Sequence, residues 1–139
     1  MSEFVAPPRE ETMRRLMQGY ERVAPFARDK SYTVADRLEE RVADSADENF
    51  ILFEDEAITY REANARANRI AHAATQAGLK RGDVVALMML NRPEFVLTWL
   101  GLAKAGIVTA LLNTSATGPV LAHALRQVKA KAVLVGSEL

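Results

Sequence analysis

The stretch Val84-Val85-Ala86-Leu87-Met88-Met89-Leu90 is apolar at every position and shows no alternation with polar residues. A strand that is covered on both faces has this pattern, and such strands are typical of parallel sheets. Two further short apolar runs follow it, Ile107 to Leu112 and Ala132 to Val135. The sequence therefore predicts three buried strands.

Helical patterns separate these three runs. The first helix is predicted to begin at Asn91, which is a good cap, with Pro93 in the first turn and Glu94 as its capping partner. It should reach Lys104 and stop near Gly106. We therefore expect a crossover helix between the first and second strands.

The second crossover helix is predicted from Gly118 to Lys129, with Thr117 as its cap. The order strand, helix, strand, helix, strand predicts an α/β fold, the three-layer start of a doubly wound parallel sheet. Because no helix follows the third strand in the residues up to Leu139, we expect an incomplete domain.

The residues upstream predict two helices, a short β-hairpin and a third helix. An apolar stripe at steps of three and four predicts a helix from Glu10 to about Ala24, ended by Pro25. A second helix is predicted from a Thr33 cap to about Asp44. We accordingly divide the chain into a leader with the first helix, residues 1–32, and the start of a larger domain, residues 33–139.

The hairpin is predicted from two short apolar strands on either side of the acidic turn Glu54-Asp55-Glu56. Thr59 and Glu62 then have the spacing of a capping box, in which each side chain bonds a free backbone N–H at the start of a helix. That helix should end at Gly78, with a narrow face of small residues that predicts close packing. The face comprises Ala63, Ala67, Ile70, Ala71 and Ala74.

Composition excludes several classes of function. The 139 residues carry 18 basic and 18 acidic side chains without a long run of either sign, which argues against nucleic acid as a partner. The absence of cysteine excludes disulfides and thiol chemistry. The apolar stretch from Phe95 to Leu112 contains Lys104, which disfavours a membrane span. Residues 1–11 lack the pattern of a secretory signal, so a cytoplasmic location is expected.

Three segments resemble the adenylate-forming superfamily of acyl-CoA synthetases, luciferases and peptide-synthetase adenylation domains. Ile58-Thr59-Tyr60-Arg61-Glu62-Ala63 is similar to an early motif of that family, although alanine at 63 replaces its usual leucine. Asn91-Arg92-Pro93-Glu94-Phe95 and Gly101-Leu102-Ala103-Lys104-Ala105-Gly106 follow in the family's order. The segments Trp99 to Gly106, Leu112 to Thr114 and Leu121 to Leu125 resemble the fatty-acid-transport or very-long-chain branch.

This resemblance implies an N-terminal fragment of a fatty acyl-CoA synthetase. The full enzyme would use ATP, Mg²⁺ and coenzyme A to activate a fatty acid, and its partner here would be the remainder of the enzyme chain. The family places its ATP-handling residues beyond this region, so we expect no cofactor, no catalytic residue and no activity in the fragment itself. Peripheral membrane association and self-association of the full enzyme are left open.

Two candidate sites follow from the resemblance, each set against a structural interpretation. Asn113, Thr114 and Ser115 precede Thr117-Gly118-Pro119 and imitate a phosphate loop, but the segment lacks a lysine and has a single glycine. We interpret it as a strand-to-helix connection that could lie near the coenzyme A path. Phe95 and Trp99 are candidates for the acyl tunnel, although core packing is favoured.

Other chemistry-bearing residues favour structural roles. His72 and His123 have no second ligand at i+3 or i+4, so neither predicts a metal site. Two alternatives to the synthetase remain: a free-standing α/β binding module whose open sheet edge pairs with another chain, and a nucleotide-binding protein that acts through the loop after Leu112. The missing lysine disfavours the second.

Overall fold

The computed structural model describes residues 8–28 and 31–139. The chain divides into two compact units, Met1–Thr33 and Val34–Leu139. The leader before the first helix lies outside the described residues.

The described residues of the first unit form helix α1 (Arg9–Arg28). The prediction that Pro25 ends this helix was wrong, since the helical backbone continues through it for another turn. A proline removes one N–H donor but leaves the neighbouring hydrogen bonds in place, so a helix can pass through it at a cost. The predicted apolar stripe is present, and all of its members are exposed: Met13, Leu16, Met17, Tyr20 and Val23.

The second unit opens with a helix and a hairpin, followed by the alternating elements predicted from the sequence. Their bounds are α2 (Val34–Ser45), β1 (Asn49–Phe53), β2 (Glu56–Thr59), α3 (Tyr60–Gln76), β3 (Val84–Met88), α4 (Pro93–Lys104), β4 (Val108–Leu111), α5 (Gly118–Val128) and β5 (Ala132–Val135).

The three apolar runs form a parallel sheet in the order β4-β3-β5. Val85 of the central strand pairs with Thr109 on one side and with Ala132 on the other. The two crossovers run in opposite directions across the sheet, so right-handed connections place α4 and α5 on opposite faces. This confirms the predicted three-layer α/β arrangement.

The capping box at the start of α3 is confirmed. The Thr59 N–H donates to Glu62 Oε2 at 2.9 Å, and the Glu62 N–H donates to Thr59 Oγ1 at 3.2 Å. Gly78 has a φ of +83°, the left-handed conformation predicted for the residue that ends this helix. Together these caps fix where α3 begins and ends.

The predicted cap of α4 was wrong. Arg92, rather than Asn91, occupies the N-cap position, and its side chain makes no capping hydrogen bond. Pro93 is the first helical residue and forces the residue before it into an extended conformation, with φ −149° and ψ 164° at Arg92. Thr117 occupies the N-cap of α5 as predicted, but its side chain makes no capping bond either.

Small residues let α3 and α4 pack closely. Ala63, Ala67 and Ala74 of the predicted face are buried. A Cβ atom placed on Gly101 would lie 2.7 Å from the Ala67 carbonyl oxygen and 2.7 Å from Ile70 Cβ. The predicted tight packing is therefore confirmed, and the core lies between these helices and the sheet.

Candidate functional site

The loop after β4 leaves the carboxyl edge of the parallel sheet, where ligands of α/β proteins commonly bind. Asn113 Oδ1 accepts the Ser115 N–H at 2.9 Å, and the Asn113 carbonyl accepts the Ala116 N–H at 3.0 Å. These two bonds close a turn before α5. The segment is thus a strand-to-helix connection built on an asparagine turn, as interpreted from the sequence.

A groove of about 420 Å³ lies between this loop and α5. Asn113, Ser115 and Thr117 contribute its polar groups, and Thr114 is not among its lining residues. The remainder of its lining is apolar: Leu111, Leu112, Ala116, Val120, Leu121 and Ala124. The groove contains no charged side chain.

This groove does not fit a nucleoside triphosphate. Binding of phosphate oxygens requires a cation or several converging N–H donors, and binding of Mg²⁺ requires carboxylate or other oxygen ligands. Asn113 already uses its side-chain oxygen within the turn, and the one glycine of the segment, Gly118, lies in the helix. The walls of the groove are neutral and mostly apolar.

Phe95 and Trp99 lie on α4, one turn apart. Phe95 is in the first turn of the helix and is half-buried, close to the same carboxyl edge as the Asn113 loop. Trp99 has 38% of its surface exposed. The prediction that Trp99 packs in the core is therefore wrong. The face of α4 that contacts α3 is occupied by Leu97 and Gly101 instead.

A second concavity, of about 740 Å³, lies between the hairpin turn and the segment that joins β3 to α4. Arg92 Nε donates to Glu94 Oε2 at 2.7 Å, and Arg92 Nη1 donates to Glu138 Oε2 at 3.3 Å. Glu138 also accepts the Leu90 N–H at 2.9 Å, which is the main reason that its pKa is lowered. The Arg92 guanidinium lowers the pKa of Glu94.

Sequence reasoning missed this bridge between the ends of β3 and β5. Arg92 and Glu138 are 46 positions apart, and no local pattern couples them. The acidic turn Glu54-Asp55-Glu56 lines the same concavity and is exposed. Because Arg92 is satisfied by two carboxylates, it offers no ready site for an anionic ligand.

The described residues contain no group of three or more His, Asp or Glu side chains arranged to hold a metal. His72 and His123 are both exposed on their helices, in line with the structural interpretation. No helix among residues 8–28 and 31–139 combines the length and apolarity needed to cross a bilayer.

These features define a class of protein: an α/β domain of the doubly wound type that carries a hairpin and a capped helix before its parallel sheet. Comparison with protein families narrows the class. Residues 38–139 match the family model described as AMP-binding enzyme. The chain therefore belongs to the AMP-binding, adenylate-forming enzyme family.

Two relatives illustrate the relationship. The chain is 43% identical over 108 residues to long-chain fatty acid transport protein 6 of Mus musculus, an alignment that covers 77% of this chain and 17% of the relative. It is 41% identical over 102 residues to the medium/long-chain-fatty-acid–CoA ligase FadD6 of Mycobacterium tuberculosis, an alignment that covers 73% of this chain and 17% of the relative. The chain thus spans about one-sixth of the length of these relatives.

Solved structures agree with the fold. The N-terminal subdomain of Klebsiella oxytoca NpsA, in complex with anthranilyl-AMSN, matches with a TM-score of 0.72 at 25% identity, covering 75% of this chain and 27% of that one. The anthranilate CoA ligase AuaEII, in complex with anthranoyl-AMP, matches with a TM-score of 0.72 at 27% identity, covering 77% of this chain and 21% of that one. The present chain corresponds to an N-terminal part of such enzymes.

Proposed function

We propose that residues 33–139 of this chain form the N-terminal part of the large domain of a fatty acyl-CoA synthetase. The observation that carries the proposal is the family match over residues 38–139, together with relatives named as fatty-acid transport proteins and a fatty-acid–CoA ligase. The parent enzyme joins a fatty acid to coenzyme A at the expense of ATP.

The proposed reaction has two steps. The fatty-acid carboxylate attacks the α-phosphorus of ATP and releases pyrophosphate, and the thiol of coenzyme A then attacks the acyl carbon and displaces AMP. Both steps build negative charge on oxygens, which cations and oriented donors stabilise. In the parent enzyme, Mg²⁺ and residues beyond 139 supply these groups.

The described residues of this chain supply the scaffold for that chemistry. The groove at the Asn113 loop has no cation among its lining residues, and Arg92 is held by Glu94 and Glu138. We infer that residues 1–139 alone neither bind ATP productively nor form an adenylate.

Asn113 and Ser115 are proposed contacts for coenzyme A. Their groove is neutral and mostly apolar, which suits the amide-bearing pantetheine arm rather than the phosphates of the nucleotide end. Thr114 is next to them in the loop and completes the proposed set. Phe95 and Trp99 are proposed to border the acyl chain, since the exposed Trp99 ring leaves apolar surface for a ligand or for a covering segment.

We propose a cytoplasmic location with contact to a membrane surface through α1. The apolar stripe of this helix is exposed from Met13 to Val23, and the helix sequence carries five arginines against three glutamates. A helix with one apolar and one polar face binds at the interface of a bilayer, with anionic lipids favoured by a basic excess. Self-association of the parent enzyme remains a separate proposal.

A free-standing binding module is the second candidate. The observation that favours it is the sheet itself, in which β4 and β5 are both edge strands of the described structure. Size-exclusion chromatography separates the two candidates. A module should give one discrete oligomer, whereas part of a larger domain should associate without a defined size.

The gene tests the proposal directly. The codons that follow Leu139 should encode a Ser/Thr/Gly-rich loop ending in Pro-Lys. A stop codon directly after Leu139, or a following sequence without such a loop, would refute the synthetase and favour the module.

A further inference from the structure

Two methionines lie within the exposed apolar stripe of α1. Met13 and Met17 are one helical turn apart, so their side chains lie on the same side of the helix. Met13 has 51% of its surface exposed and Met17 has 52%. Both side chains are therefore accessible to small reagents, and both belong to the surface that is proposed to contact a membrane.

A thioether reacts with hydroperoxides without first losing a proton. The sulfur lone pair attacks one oxygen of hydrogen peroxide, an S–O bond forms as the O–O bond breaks, and water is released. The sulfur is oxidised by two electrons and the peroxide is reduced by the same two. Because the reagent must reach the sulfur, exposed methionines are oxidised before buried ones.

Met88 of β3 provides a contrast within the same chain. It has 8% of its surface exposed and lies in the central strand of the parallel sheet. Peroxide reaches such a side chain mainly when the surrounding structure opens. The 139 residues contain no cysteine that could consume the oxidant first. We therefore expect a low concentration of peroxide to oxidise Met13 and Met17 and to spare Met88.

Oxidation would change the chemistry of the α1 stripe. The thioether of methionine is apolar, whereas the sulfoxide is polar and accepts hydrogen bonds from water. A helix bound to a bilayer inserts its apolar face at the boundary between headgroups and acyl chains. A sulfoxide inserted there loses hydrogen bonds to water, which disfavours the bound state. The reaction leaves the charges of α1 unchanged, so it weakens the apolar part of binding alone.

We propose that Met13 and Met17 form a hydroperoxide-sensitive modification site, at which oxidation of both thioethers to sulfoxides releases α1 from a lipid surface. The proposal rests on the membrane contact of α1 that is part of the proposed function. The modification is reversible, because methionine sulfoxide reductases return the sulfoxide to the thioether. That step converts a dithiol to a disulfide and releases the oxygen as water.

Vesicle sedimentation after controlled oxidation tests the proposal. The 139-residue chain is treated with hydrogen peroxide, and catalase removes the excess. Peptide mass spectrometry then gives the oxidised fraction at each methionine, and binding is measured on vesicles of phosphatidylglycerol and phosphatidylcholine. The double variant Met13→Leu/Met17→Leu is the matched control, because leucine is apolar and favours a helix but has no sulfur.

The wild-type chain should be sensitive to peroxide and the double variant should not. Met13 and Met17 should oxidise at least fivefold faster than Met88, and sulfoxides at both positions should weaken vesicle binding at least threefold. Treatment with sulfoxide reductases should restore binding. The double variant should bind like the reduced wild type before and after peroxide. Saturating vesicles should slow oxidation of Met13 and Met17 at least threefold, because bound α1 shields both sulfurs, and should leave the rate at Met88 unchanged.

Three results would overturn the proposal. Met88 could oxidise as fast as Met13; vesicle binding could survive complete oxidation of Met13 and Met17; or peroxide could weaken binding of the double variant as much as that of the wild type. Binding that survives oxidation refutes the release and leaves the proposed membrane contact standing. A reduced wild-type chain that binds neither vesicle type refutes the membrane contact and the release together.

Discussion

Lys104 of α4 forms an ion pair with Glu39 of α2, although the two residues are 65 positions apart. The Lys104 side chain is 9% exposed and Glu39 is 56% exposed. Lys104 belongs to the segment that resembles the family's Lys-Ala-Gly motif, so one element of the family signature has a structural role here. It links α2, which packs against α3 and α4, to the end of α4.

The loss of unfolding free energy should differ between substitutions of the two partners of this pair. Glu39→Ala leaves the largely buried ammonium without its partner and should cost about 1–2 kcal/mol of unfolding free energy, less than for a fully buried pair because Glu39 reaches solvent. Lys104→Met keeps the apolar stem and should cost less. Urea denaturation measures both, and a larger loss for Lys104→Met would contradict the assignment.

Gly101→Ala should destabilise the chain by about 1–3 kcal/mol, because the added methyl group meets backbone and a β-branched side chain at 2.7 Å. Gly19→Ala is the matched control. Gly19 also lies within a helix, but nothing is within 4 Å of an added Cβ, so this change should be neutral or stabilising. Equal unfolding midpoints for the two variants would mean that α3 and α4 are not in close contact.

The capping box should make stability depend on pH. The backbone N–H of Thr59, and then its hydroxyl, lower the pKa of Glu62 from its ordinary value of 4.5. A carboxyl with a depressed pKa stabilises the fold above its unfolded-state pKa, and this contribution is lost as the pH falls through the folded-state value.

The comparison of wild type with Glu62→Gln isolates this effect. The wild type should have the higher urea midpoint at pH 6, and the difference should shrink as the pH falls below about 4.5. Glu54→Gln, in the exposed hairpin turn, is the control and should show no such trend. A difference between wild type and Glu62→Gln that grows in acid would exclude the capping role.

The α1 stripe should govern binding to lipid surfaces. The 139-residue chain is expected to sediment with vesicles of phosphatidylglycerol and phosphatidylcholine more than with phosphatidylcholine alone. Leu16→Asp removes apolar area from the stripe and should reduce binding at least fivefold, whereas Gln18→Asp on the polar face makes the same change of charge and should reduce it less. Equal losses from both substitutions would indicate a purely electrostatic contact.

Local signals in the sequence predicted most of the fold. The capping box at Thr59 and Glu62, the glycine that ends α3 and the apolar runs of the three strands each act through neighbours a few positions away, so they can be interpreted without a structure. The opposite sides of α4 and α5 follow from connection handedness once the order β4-β3-β5 is known. The order itself does not follow from the sequence, because right-handed crossovers are equally compatible with β3-β4-β5.

The errors in the sequence-based predictions arise where two local rules compete or where distant residues meet. At the start of α4, the conformational restriction before Pro93 outweighs the capping preference of Asn91. The size and spacing of Trp99 favour core packing, but the α4 face towards α3 is filled by the smaller residues Leu97 and Gly101. The Arg92–Glu138 and Lys104–Glu39 pairs join distant positions, and a single sequence gives no signal for them.

The most direct test of the central claim is ATP–pyrophosphate exchange in the presence of a long-chain fatty acid. It is measured on the purified 139-residue chain and on the full-length protein encoded by the same gene. We expect exchange by the full-length protein and none above background by the short chain, because the groove at the Asn113 loop has no cation among its lining residues to stabilise the transferring phosphoryl group. Fatty-acid-dependent exchange by the short chain would contradict it.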